Sequence, residues 1–303
     1  MLSGIIDSFA EFNFGRVLLH PVTWMLTATG SLLLIGFWFW QDYKEKKISG
    51  NEYLIQFEDL AVSDSPDWVP ANWSDLAFRD SRLNEVSILQ NDAAEKVAAA
   101  YEVQPWIKRV RRVQKQLGDI KVDVEFRTPV GMVEVGANNL IPVDSEAVVF
   151  DGKYFPREMT AGYIRISIPL PAEGPAISGR PWKDARIVGA AAIASELEGV
   201  WSEFDLIRIV NRTRMQSRDS NQQLESFELW SRNDVPVIWG SPPGQEIEFE
   251  GSSEQKIAAL KQYVQKNGPL SSLRKGSGLD VRDGTVRVIP IQLSLNFNES
   301  KLQ

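Results

Sequence analysis

The sequence predicts an α+β protein with one apolar N-terminal helix, followed by a body that mixes strands with helices. Three observations lead to this fold class. The stretch Val17–Trp40 contains no Asp, Glu, Lys or Arg. Ile120–Arg127 alternates apolar and charged residues, as a strand with one buried face does. Farther along, Trp182–Glu198 follows a proline and precedes a glycine, a pattern that favours a helix.

The apolar stretch predicts a membrane anchor. A helix over Val17–Trp40, at about 1.5 Å per residue, is about 36 Å long and exceeds the roughly 30 Å hydrocarbon core of a bilayer. Trp24, Trp38 and Trp40 lie near its ends, where amphipathic rings favour the headgroup level. A buried core helix would show a polar face, and a signal peptide would show small residues at a cleavage site. We therefore expect a tail at 1–16, a single transmembrane helix at 17–40 in contact with lipid, and a juxtamembrane stalk at 41–52.

Composition excludes several classes of function. The net charge of -7 argues against a nucleic-acid partner. The chain has no cysteine, and its one histidine, His20, lies inside the predicted anchor. Histidine-dependent catalysis and histidine- or thiolate-bound zinc are therefore excluded from the body. No phosphate-binding loop occurs. We expect no cofactor, no metal and no small-molecule substrate, although the 40 acidic residues leave carboxylate catalysis open.

The first part of the body, residues 53–136, predicts a small α+β unit. Tyr53–Leu60 is typical of a first strand, and the loop 63–73 carries two tryptophans that we expect to pack over a core edge. A helix is expected from Asn91 or Asp92, because apolar residues then recur at helical spacing. The stretches 107–117 and 120–127 flank Gly118-Asp119 and predict a hairpin, and 130–135 is either a third strand or a continuation after a bulge.

The second part, residues 137–303, predicts a mixed β-sheet with flanking helices. After the helix at Trp182–Glu198 we expect a strand at Phe204–Val210 and a hairpin over 227–240 that turns at Asn233-Asp234. Ser252 and Gln255 form a capping-box pattern that begins a second helix. The stretch Thr285–Leu293 predicts a terminal strand.

Residues 91–135 resemble the POTRA domain of the bacterial cell-division protein family FtsQ, also called DivIB. The likeness rests on a Pro-Trp step into a basic strand, followed by a strand that ends in acidic-x-Arg-x-Pro-Val. It continues through Val143-Asp144, through a strand that closes in Trp-Gly before KIAALKQYV, and through the Asp-x-Arg step at 280–282. The departures are Ile107 in place of valine, the long tryptophan loop, and Ser145-Glu146 in place of a glycine-containing step. The matching positions of the first block are Pro105, Trp106, Ile107, Val110, Arg112, Glu125, Arg127, Pro129 and Val130.

The resemblance implies a non-catalytic scaffold of the septum machinery. Its single N-terminal span would lie in the cytoplasmic (inner) membrane, and its POTRA and β domains would lie outside the cytoplasm. Its partners would be membrane division proteins similar to FtsB and FtsL. The lysines at 44, 46 and 47 predict the opposite orientation, because basic flanks tend to stay cytoplasmic. Two alternatives remain open: a membrane-anchored POTRA-type adaptor for envelope transport or secretion, and a tethered carboxylate-based glycan hydrolase.

Two candidate interaction sites follow from the sequence. Pro290 favours an edge position for the terminal strand, and an edge strand can be extended by another chain. The resemblance also implies docking there, and the side chains concerned are Val286, Val288, Ile289 and Ile291. The second candidate is a basic patch, which is either a solvated strand face or a contact for anionic headgroups or an acidic partner. The patch consists of Lys108, Arg109, Arg111, Arg112 and Lys115.

Overall fold

Helices and strands are mixed in a computed structural model that describes residues 21–48, 53–116, 119–136, 139–168, 174–213 and 225–291. The predicted α+β class is confirmed. Across these residues the helices are α1 (Pro21–Ile48), α2 (Trp73–Asp80), α3 (Ala93–Glu102), α4 (Arg157–Thr160), α5 (Ala185–Glu196) and α6 (Ser253–Asn267). The strands are β1 (Leu60–Val62), β2 (Ile107–Lys115), β3 (Ile120–Phe126), β4 (Pro129–Val135), β5 (Asn139–Asp144), β6 (Ile164–Ser167), β7 (Leu206–Thr213), β8 (Glu225–Ser231), β9 (Pro236–Gly240), β10 (Ser277–Asp280) and β11 (Arg287–Pro290).

Helix α1 covers most of the predicted anchor and extends beyond it. It has 28 residues, and Trp24, Trp38 and Trp40 are all exposed on it. The residues 1–20 and 49–52 lie outside the described part, and with them the predicted tail, the start of the anchor and the end of the stalk. Within the described residues, no helix combines the length and the apolar character needed to cross a membrane.

A three-stranded sheet forms the first layer of the body. The strand order is β1-β3-β2, with β1 parallel and β2 antiparallel to β3. The predicted strand Tyr53–Leu60 is wrong in extent, because the chain is strand only from Leu60 to Val62. Before it, Gln56 N–H donates to the Asp59 carboxylate at 2.9 Å and holds a short 3-10 turn at Phe57–Asp59.

The two tryptophans of the loop pack against this layer, as predicted. Trp73 begins α2 and lies edge-on to Tyr101 and Phe126, with ring centroids 5.5 and 5.2 Å apart. Trp68 is half-buried, and its indole N–H donates to the carbonyl of Arg127 at 3.2 Å. The helix α2 was not predicted from the sequence.

Two β-bulges shape β2. The register against β3 shifts between Ile107 and Arg109 and again between Val110 and Arg112. At each shift two residues of β2 lie opposite one residue of β3, so side chains three positions apart point inward. Ile107, Val110 and Val113 consequently face the core while the neighbouring basic residues are exposed.

The second sheet has eight strands in the order β11-β10-β9-β8-β7-β6-β4-β5. Strand β4 pairs antiparallel with β5 and parallel with β6, and not with β3. The predicted first unit, 53–136, therefore includes a strand that belongs to the larger sheet by its hydrogen bonds. Gly131 makes this pairing close, because a Cβ there would lie 3.0 Å from Ile166 Cδ1.

Helices α5 and α6 contribute to the main core beside this sheet. Helix α5 begins at Ala185, three residues after the predicted start. The Asp184 carboxylate caps it by accepting the Arg186 N–H at 2.9 Å, and the Trp182 N–H donates outside the helix, to the Ala147 carbonyl at 2.9 Å. The capping box of α6 is confirmed: Ser252 and Gln255 exchange hydrogen bonds at 3.4 and 3.0 Å. The predicted hairpin is also confirmed, with β8 and β9 on either side of Asn233-Asp234.

Candidate partner-binding site

Strand β11 ends the larger sheet, as the sequence predicts for the terminal strand. It is antiparallel to β10, with Val288 opposite Leu279 and Ile289 opposite Gly278. The strand is shorter than predicted, since it runs from Arg287 to Pro290; the last two predicted residues lie outside the described part. No described strand covers its outer side.

The backbone of β11 presents few hydrogen-bonding groups outward. Ile291 N–H donates to the Gly276 carbonyl at 2.7 Å, so Ile291 directs its main chain toward β10. Because this direction alternates along a strand, Val288 and Pro290 direct theirs outward. Val288 offers both an N–H and a carbonyl, whereas Pro290 offers only a carbonyl. Another strand could therefore pair fully at Val288 and only partly at Pro290.

The four predicted docking side chains divide between two faces. Val288 lies opposite the buried Leu279 and is 53% exposed. Val286, just before the strand, packs partly against the main core. Ile289 and Ile291 are half-buried on the opposite face, where Ile291 Cγ1 would lie 3.4 Å from a Cβ at position 278. The structure thus leaves Val288 as the most accessible apolar side chain of this edge.

Charged pairs hold the turn that leads into β11. Arg282 donates to both carboxylate oxygens of Asp280, at 2.9 and 2.6 Å, and Arg287 pairs with Asp283. Burial acts to raise the pKa of Asp280, but the hydrogen bonds from Arg282 outweigh it and lower this pKa. The Asp-x-Arg step that carries the family resemblance is therefore a local clamp at the end of β10.

Most of the predicted basic patch is paired within the chain. Arg109 and Arg111 share the Glu125 carboxylate at 2.7 and 3.1 Å, and their hydrogen bonds lower the pKa of Glu125. Lys108 Nζ lies 3.6 Å from Glu146, and Lys115 Nζ donates to two backbone carbonyls, those of Ile88 and Gln90. Of the five, only Arg112 has no ion pair or side-chain hydrogen bond with another described residue.

Sequence reasoning missed a junction between the two sheets. Arg127, after β3, donates to the Asp144 carboxylate at 2.7 Å, to Glu146 at 3.0 Å and to the Ile107 carbonyl at 3.2 Å. The other oxygen of Asp144 accepts the N–H groups of Glu146 and Val148. Burial acts to lower the pKa of Arg127, but both carboxylates outweigh it and raise this pKa. The motif positions Arg127 and Asp144 were the signal that could have predicted the contact.

Aromatic rings fill the rest of this junction. Trp106 stacks on Phe150 and Phe155, with centroids 5.8 and 6.4 Å apart, and meets Tyr154 edge-on at 5.3 Å. A Cβ at Gly179 would lie 3.2 Å from Pro105, which shows how closely the two parts approach. The two sheets therefore share one interface of aromatic and charged contacts.

A cavity of about 710 Å³ lies beside β5. Its acidic lining residues are both paired, Glu134 with Arg165 at 3.3 Å and Asp151 with Lys153 at 2.7 Å. Across the described residues, no group of three or more His, Cys, Asp or Glu side chains is arranged to hold a metal ion.

Neither a protein-family model nor a curated protein sequence matches this chain. The resemblance to the FtsQ family therefore stays a prediction from the motif residues.

Proposed function

We propose that the protein is a non-catalytic, single-pass scaffold of the bacterial septum machinery. Its N-terminal helix would anchor it in the cytoplasmic membrane, and its two sheets would lie outside the cytoplasm as a POTRA-like domain and a β domain. Membrane division proteins similar to FtsB and FtsL would bind this body. The proposal includes neither a cofactor nor a small-molecule substrate.

The observation that carries the proposal is the edge of β11 that no described strand covers. Main-chain hydrogen bonds to an added strand supply affinity, and alternate side chains supply specificity. At Val288 the outward N–H and carbonyl supply the main-chain hydrogen bonds, and the exposed side chain supplies the specific contact. Pro290 offers only a carbonyl to an added strand, so it limits how far that strand can extend and favours one register over others.

The motif residues give the resemblance a physical basis. Arg127 and Asp144 join the two sheets, and Asp280 and Arg282 clamp the turn before β11. These positions lie far apart in the sequence, yet each holds a part of the body that a rigid scaffold needs.

A pull-down from cells tests the docking edge. Full-length protein is compared with Val288→Asp, which places a charge at the edge, and with Val103→Asp as a matched control, because Val103 is 74% exposed at the end of α3. We expect the FtsB- and FtsL-like proteins to be lost with the first variant and retained with the second. Equal recovery of these proteins with all three chains would refute docking at β11.

Three further measurements test the membrane orientation and separate the remaining alternatives. Enrichment of a fluorescent fusion at midcell supports the division role, whereas uniform labelling of the membrane supports a transport or secretion adaptor. A reporter that is active on only one side of the membrane, fused after Gln303, tests the orientation against the one predicted by the lysine flank. Loss of a glycan-cleaving activity on Asp or Glu substitution would support the hydrolase instead.

A further inference from the structure

An exposed aromatic side chain stands out on the loop 241–252, between β9 and α6. Phe249 is 86% exposed and its φ is +72°. A bulky residue in this left-handed region is strained, and a phenyl ring in water forgoes the free energy of burial. Glycine would remove both costs. The loop therefore keeps Phe249 despite two separate penalties, a combination that is typical of binding sites.

A buried polar network fixes the base of this loop. The Glu250 carboxylate accepts the Ser241 N–H at 3.1 Å and lies 3.6 Å from the fully buried Lys256 ammonium. Lys256 also lies 5.2 Å from the centroid of the buried Trp239 ring. Gly251 N–H donates to the Arg282 carbonyl at 2.8 Å. The two residues that follow Phe249 are therefore both hydrogen-bonded to the body of the protein.

Charge limits what can bind this loop. Glu246 and Glu248 both precede Phe249 on the loop, and Glu248 is exposed and makes no ion pair with another described residue. An anionic membrane surface would be repelled by these carboxylates. A protein surface with unpaired basic side chains fits better, since guanidinium groups can both pair with carboxylates and stack on an aromatic ring.

The chain itself carries such a surface on the outer face of the three-stranded sheet. A cavity of about 380 Å³ lies there, lined by Arg112, Lys121, Ser63, Gln114 and Asp123. The bulges of β2 direct Arg112 outward beside the paired Arg111, and Arg112 is exposed and has no ion pair with another described residue. Lys121 is also exposed. Two basic side chains face one carboxylate here, so this cavity is complementary to the loop.

We propose that the Phe249 loop docks onto this sheet face of a second copy of the chain. The ring lies over the Arg112 guanidinium, and Glu248 and Glu246 pair with Arg112 and Lys121. Two such contacts related by a two-fold axis would close a dimer, whereas a one-way contact would form open chains. The inference is independent of the proposed division role.

A charge exchange tests the contact in the full chain, kept in nonionic detergent and studied by sedimentation equilibrium. We expect Glu248→Arg and Arg112→Glu each to weaken self-association at least tenfold and the double variant to recover most of that loss. Lys183→Glu reverses an exposed charge elsewhere and should leave association unchanged. Raising the salt from about 0.15 M to 0.5 M should weaken the wild type, because exposed ion pairs are screened.

The variant Phe249→Gly supplies a second readout, because a side chain with a purely structural role would not give higher stability together with weaker self-association when it is removed. We expect its melting temperature to rise by about 2–4 °C as strain is relieved, while self-association falls. A wild-type chain that stays monomeric at the highest concentration would overturn the proposal, as would a double variant no better than either single one. Vesicle insertion that depends on Phe249 would also overturn it, in favour of a bilayer contact.

Discussion

The junction at Arg127 leads to the sharpest prediction about stability. Replacing Arg127 with Met keeps a long side chain but removes the positive charge. The Arg127 side chain is 16% exposed and that of Asp144 is 4% exposed, so the change leaves a buried carboxylate without its partner. Removing one member of a buried ion pair destabilises a protein by about 3–5 kcal/mol.

The value expected here lies at the lower end of that range. Asp144 retains two backbone N–H donors, at 2.9 and 2.7 Å, which continue to stabilise its charge. The second acceptor, Glu146, is half-exposed and can turn to water. We therefore expect Arg127→Met to lower the free energy of unfolding by about 3 kcal/mol.

Urea unfolding of the full chain in detergent, followed by tryptophan fluorescence, measures this loss. Trp106 lies in the junction and Trp68 donates to the Arg127 carbonyl, so both report on it. Arg79→Met is the matched control: its side chain is 71% exposed and pairs with Asp75 one helical turn away, a contact worth about 0–0.5 kcal/mol. A loss below about 1 kcal/mol for Arg127→Met, or one equal to the control, would refute the reasoning.

Three other measurements test the packing and the titration of buried groups. Gly189→Ala should lower the free energy of unfolding by about 1–3 kcal/mol, because the added Cβ would lie 2.8 Å from Phe227 Cζ. Gly162→Ala is the control, since its Cβ would make only ordinary contacts and should leave the melting temperature almost unchanged. Thermal melts compare the two variants. Burial lowers the pKa of Lys256 below its unfolded value of about 10.4, so the unfolded chain binds more protons in the pH range between the folded and unfolded values, and the free energy of unfolding should rise with pH there. In urea unfolding, Lys256→Met should show a smaller rise as the pH approaches the unfolded value. The pKa of Asp280 is lower in the folded chain, so its contribution to stability is present above the unfolded value of about 3.9 and is lost as the pH falls through the folded value. In acid unfolding, Asp280→Asn should lack this loss of stability. Identical acid-unfolding curves for the variant and the wild type would contradict the expectation.

Local patterns explain why several elements could be predicted. The alternation in Ile120–Phe126, the capping box at Ser252 and the turn at Asn233-Asp234 each depend on residues within a few positions of one another. The interactions that stabilise these structures join residues that are close together in the sequence, so the local sequence is sufficient to predict them. Each of the three occurs where it was expected.

Other elements could not be predicted, because their causes are distant in the sequence. The short β1 depends on pairing with Ile120–Val122, some 60 positions away, and the bulges in β2 depend on its register against β3. Ladder hydrogen bonds with β5 and β6 decide the sheet to which β4 belongs. A strand's own residues specify its alternation but do not identify its neighbour.

The candidate sites divide in the same way. The sequence by itself determined that the last strand contains a proline unsuited to a central position, and that β2 carries dense positive charge. Only the tertiary structure decided that Val288 faces outward, that Arg109 and Arg111 are occupied by Glu125, and that Lys256 is buried beside Glu250. Pairing and burial arise when distant segments pack together, and packing is a property of the whole chain.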